Sequence, residues 1–144
     1  MNIDFFQSKA LSVANERSVD VVFRNIVDSF ADDPNVVLAR IWIIAPGDLC
    51  HKCPWRESCP DQTKCLHLVA SNGSSLHKER WPTLLKGHYR RFPLFTVEPD
   101  SVTATGKIGY IGGTGKAVFR NDILGNSAWL MDPEWAEREK IASF

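Results

Sequence analysis

A chain of 144 residues has the length of one domain, and 44% hydrophobic with 24% charged residues is ordinary globular composition, which excludes intrinsic disorder and fibrous repeats. No apolar run reaches the ~18–20 residues of a membrane span. Basic and acidic side chains number 17 each, so the chain lacks the basic excess of a dedicated electrostatic binder of nucleic acid.

Residues 4–14 carry Phe6, Ala10 and Val13 at helical spacing, and residues 1–17 are expected to form an N-terminal helical extension. A clearer helix follows. Val19, Val22, Phe23, Ile26 and Phe30 make one apolar stripe opposite Asp20, Arg24 and Asp28, with Ser18 as N-cap and Pro34 beyond the end. From Val36 to Ala45 both alternate sets are apolar, which predicts a strand buried on both faces, with Trp42 in the core. Pro46-Gly47-Asp48 ends it. Leu66, Leu68 and Ala70 alternate with His67, Val69 and Ser71, predicting a second strand up to the Asn72-Gly73 turn. If these two strands pair, the segment between them is the expanded loop of a hairpin.

Further on, 73–88 reads as loop, 89–94 as a short strand, 107–116 as a short helix and 117–119 as a short strand. Asp132-Pro133-Glu134 opens a last helix expected to reach Ile141, with Asp as N-cap and Pro at the first helical position.

All four cysteines lie in the loop at 46–66, as Cys50, Cys53, Cys59 and Cys65, spaced C-x2-C-x5-C-x5-C. Met1–Phe6 lacks the basic cluster and apolar stretch of a signal peptide, so the expected compartment is the reducing cytoplasm, where clustered cysteines bind metal or do redox chemistry more often than they form bridges. Two cysteines two residues apart clamp one centre, and the other two return to it over five-residue loops. Four thiolates complete a tetrahedral zinc site or ligate a [4Fe–4S] cluster, and the spacing does not choose between them. Lys52, Arg56 and Lys64 could offset the negative charge of either centre. His51 and His67 are near enough to substitute as ligands, but read more simply as solvent-facing neighbours.

Other patterns fail closer tests. Gly109 to Lys116 resembles a phosphate loop, but that spacing needs Gly at Tyr110 and Ser or Thr at Ala117. Residues 77–91 hold five Lys/Arg against one Glu, yet in a chain without net charge they read as an exposed loop and an edge strand blunted by Arg90-Arg91.

The order of elements, with Gly106–Ile123 ("GKIGYIGGTGKAVFRNDI") and Asp132–Phe144 ("DPEWAEREKIASF"), resembles a GAF domain over residues 18–144. The cysteine loop is similar to that of a subset of these domains in bacterial sensor kinases and transcriptional activators. The resemblance implies one α+β sensory domain over 1–144, with a central antiparallel sheet flanked by helices on both sides. It also implies two further strands and a closing helix after Phe144, so the sheet is expected to lack its last elements. It implies a pocket for an unidentified small molecule near Tyr110, Asp122 and Trp129, a homodimer, and signalling to a separate output domain, a histidine kinase or transcriptional activator. The expected function is non-catalytic sensing of redox state, oxygen or metal, with neither membrane nor nucleic acid as partner. Two alternatives stand beside it: a thiol-based reductase of the free methionine sulfoxide type, and a zinc-stabilised module that binds nucleic acid or protein.

Overall fold

A computed structural model describes residues 7, 10–11, 14, 16–73, 75–76, 90–96, 104–123, 125, 130 and 132–144. Most of the expected N-terminal extension, and residues 77–89 of the basic segment 77–91, lie outside the described residues.

Helix α1 spans Val19–Ala31. The Ser18 hydroxyl makes no capping bond; instead the Ser18 carbonyl accepts from Val21 and Val22 N–H, and the Glu16 carboxylate accepts from the backbone N–H of Arg17 and Ser18. Its most deeply buried residue is Val27, while Val19 and Phe30 (47% exposed) stay in solvent. The buried seam is therefore rotated from the expected stripe toward Val27, one turn beyond the half-buried Phe23. After the helix, Asp33 accepts from both the backbone and the side-chain N–H of Asn35, a local turn that competes with further helix.

Strands β1 (Ala39–Pro46), β2 (Lys64–Asn72) and β3 (Arg91–Phe92) form an antiparallel sheet in the order β1-β2-β3. The two long strands are neighbours, with residues 47–63 as their connection. In β2 the predicted alternation holds as far as Ala70: Leu66, Leu68 and Ala70 are buried and His67 and Val69 half-buried, but Ser71, expected on the other face, is buried as well. β1 departs from expectation. It is half-buried at best, Trp42 included, and Ile44 is 53% exposed. Apolar periodicity reports what a face can tolerate, not what covers it. β3 pairs with β2 in the register Leu66↔Phe92 and His67↔Arg91.

Helix α2 spans Ala104–Thr114 and explains the glycines that resemble a phosphate loop. A Cβ at Gly113 would stand 2.2 Å from the Phe95 carbonyl oxygen, and one at Gly112 would stand 2.8 Å from the Leu66 side chain. Bare backbone on one helix face lets α2 lie directly on the strand-side segment. The expected strand at 117–119 does not form; the chain is irregular there, and pairing comes later, between Asn121 and Ser143.

Helix α3 (Pro133–Arg138) starts as expected, with the Asp132 carboxylate accepting from Trp135 N–H at 2.9 Å. It stops before Ile141, because Lys140 turns into the left-handed region and the Ile141 N–H reaches back to the Ala136 carbonyl.

The chain divides into two compact units, residues 1–42 with 68–85 and residues 43–67 with 86–144. The first has Val27, Leu68 and Ala70 at its core; the second has Leu66, Phe92, Leu94, Ile123 and Ala136. Among the described residues, no helix is long and apolar enough to cross a membrane.

Candidate metal centre

The cysteine loop is tied at its base. Gly47 N–H donates to the Thr63 carbonyl at 2.9 Å, and a Cβ at Gly47 would meet Cys50 Sγ and the Gln62 carbonyl within 2.7 Å. Inside the loop, two 3₁₀ turns, Cys50–Lys52 and Arg56–Ser58, fold the chain back on itself. Asp61 fixes the return path by accepting from the Thr63 backbone N–H and hydroxyl. Two thiols join this scaffold: Cys50 donates to the Gln62 carbonyl and Cys59 to the Asp61 carbonyl.

All four cysteines, none in a disulfide, line a single pocket. Arg56, Lys64 and Arg91 bring positive charge to its wall against the one carboxylate of Asp61, and Phe92 and Pro93 supply apolar wall. The sequence singled out Arg56 and Lys64 correctly. Lys52 is exposed and does not line the pocket. The edge strand expected at Arg91 is present as β3, but Arg91 does not blunt it from solvent: its side chain is only 15% exposed and belongs to the pocket wall. The missed signal is register. Only the pairing His67↔Arg91 carries a residue so far along the chain to the side of Cys65.

Arg91 donates through Nε and Nη2 to the two oxygens of Asp48, a bidentate fork that holds the Asp48 carboxyl down to about 2 and raises the arginine further. Burial pushes the Cys65 thiol up to about 11 and raises Cys59 as well. His67 is corrected too: it is half-buried rather than solvent-facing, and burial, then Arg91, lowers its pKa. His51 is exposed, as expected.

Beside the four cysteines, one further group of possible ligand atoms comes together. Among the described residues, the one group of three Cys, His, Asp or Glu ligand atoms within 4.8 Å of one another is Asp48, Cys65 and His67.

Among the described residues, the buried side-chain nitrogens without a hydrogen-bond partner are Trp55 Nε1, His67 Nε2 and Arg90 Nε. Trp55 lies between the second and third cysteines, with its ring 6.0 Å from that of Phe92. His67 is two residues from Cys65, and Arg90 precedes the pocket-lining Arg91. Buried donors are costly unless an acceptor meets them, which bears on the N–H groups of Trp55 and Arg90; His67 Nε2 faces Asp48 Oδ1 at 3.8 Å, and none of the three residues lines the pocket.

The proposed small-molecule residues stand elsewhere. Tyr110 is half-buried on α2, and Asp122 is exposed with a left-handed backbone; neither lines the cysteine pocket. Trp129 lies outside the described residues. No family model, curated protein or solved structure matches this chain.

Proposed function

We propose that Cys50, Cys53, Cys59 and Cys65 hold a [4Fe–4S] cluster and that the chain is a non-catalytic sensory domain responding to redox state or oxygen. The observation that carries this reading is the pocket: all four cysteines line it, with Arg56, Lys64 and Arg91 set against the one carboxylate of Asp61, a wall suited to a negatively charged centre held by four thiolates.

A cluster bound there supplies one-electron chemistry and sensitivity to oxidants. The protein's part is to hold four thiolates, shield them on one side with Phe92 and Pro93, and offset their charge with Arg56, Lys64 and Arg91. The remainder of the reading is the GAF-type role: a cytoplasmic homodimer that passes the state of its loop to a separate output domain, with an unidentified ligand near Tyr110 and Asp122 as a second input.

The test is anaerobic purification, or reconstitution with ferrous iron and sulfide, followed by metal and sulfide analysis. The expected product is a brown protein with ~4 iron and ~4 sulfide per chain that bleaches in air. Cys53→Ser should lose both iron and colour. A colourless protein with one zinc per chain that refuses iron would overturn the proposal.

A further inference from the structure

We propose that Arg91, anchored by Asp48, sets the reduction potential of the centre held by the four cysteines. The inference rests on the cluster reading above and adds to it the residue that tunes the cluster.

The geometry begins with the sheet. The pairing His67↔Arg91 brings β3 beside Cys65, two residues before His67. Arg91 lines the same pocket as all four cysteines. Its guanidinium is fixed on two sides, by the fork to Asp48 and by Nη1–H donating to the Arg90 carbonyl at 3.0 Å. Asp48 is itself in place, its carboxylate oxygen within 4.8 Å of Cys65 Sγ. A guanidinium has five N–H groups, so donors remain beyond those used by Asp48 and Arg90.

The same contacts decide what the group Asp48, Cys65 and His67 does. Both carboxylate oxygens already accept from Arg91, and a fixed cation there repels a second one. The group is thus a charge-compensated support beside one cluster ligand rather than a metal site of its own.

With a cluster held by the four cysteines, reduction by an external donor would add one electron and one negative charge beside Arg91, with no bond made or broken and no proton required. A largely buried cation beside it favours that state, and the desolvated position of Arg91 makes its charge count for more than that of a surface lysine. The arginine therefore raises the potential. Asp48 acts in two opposed ways: its own charge lowers the potential, and its fork keeps Arg91 where it raises it.

The experiment is a dithionite titration of the reconstituted protein, read by electron paramagnetic resonance and visible absorption, with iron and sulfide measured for each variant. Arg91→Gln should shift the midpoint to lower potential. Arg91→Lys, which keeps the charge and loses the fork, should lie between it and the parent. Lys52→Gln, an exposed charge outside the pocket, should leave the midpoint in place. Asp48→Asn should raise the midpoint when made in the Arg91→Gln protein, where only a charge is removed. In the parent it should raise it less or lower it, because the anchor goes too.

An Arg91→Gln midpoint equal to that of the parent, with iron content intact, overturns the inference and leaves the cluster reading standing. So does an Asp48→Asn shift that is the same in both backgrounds. Should Arg91→Gln fail to load iron, the Arg91→Lys midpoint decides, and no shift there overturns the proposal. A parent protein that binds zinc alone removes the cluster reading itself.

Discussion

At the scale of single residues, Lys107 shows how burial becomes a pH dependence. Its ammonium sits 3.8 Å over the Phe144 ring, and burial lowers its pKa to about 8. The unfolded chain keeps that proton to ~10.4, so above pH 8 the unfolded state binds more protons and stability rises with pH. Cys65 has the opposite sign: its folded pKa of about 11 lies above the ~8.5 of an unfolded thiol, so its contribution falls with rising pH over that range. Urea melts of metal-free parent and Lys107→Met from pH 7.5 to 10.5 separate the two, since Cys65 is common to both. The parent should gain on the variant as pH rises, and parallel curves would contradict the assignment. What the sequence made legible here follows from distance along the chain. The four cysteines, Arg56 and Lys64 lie in one short segment and were readable. Arg91 and His67 were misread, because their burial and their pairing arise from the sheet and not from neighbours in sequence.

Elements end where local chemistry tells them to, and two of them offer direct tests. Asp132 caps α3 through its carboxylate, so Asp132→Ala should cost ~0.5–2 kcal/mol in a urea melt. A cost near zero would mean that the six-residue helix is held by Ala136 and its packing alone. In α2, Gly113→Ala places a methyl on the Phe95 backbone oxygen, which cannot move aside as a flexible side chain would. It should destabilise by ~1–3 kcal/mol, an overpacking cost, whereas Gly112→Ala meets only the side-chain tips of Leu66 and Leu94 and should cost less. Equal melts for the two variants would show that α2 does not depend on this close approach. The starts of helices and the alternation in β2 were legible because caps and period-two patterns are local. The exposure of β1 and the early stop of α3 were not. The first depends on what covers a face, and the second on a lysine adopting a conformation more usual for glycine.

For the molecule as a whole, the centre is expected to act as a folding constraint on one compact unit. Metal binding to deprotonated thiolates releases protons and adds its free energy to folding, as it does in small zinc domains at roughly 10–16 kcal/mol. All four cysteines, and every residue of the pocket wall, belong to the unit of residues 43–67 and 86–144. Anaerobic chelation should therefore raise amide exchange within that unit while leaving the amides of α1 protected as before. Exchange rising equally in both would show that the centre's influence is not confined in this way. Three of the four sulfurs, moreover, arise from one contiguous stretch whose ends meet at Gly47 and Thr63, and the fourth, Cys65, stands two residues on in β2. The ligand set is in effect a cassette. Excised and replaced by a short turn, it should leave the hairpin that carries it in register. Transplanted together with Cys65 onto another hairpin, it would bring all its ligands but not Arg91, and the borrowed centre would take its potential from its new host.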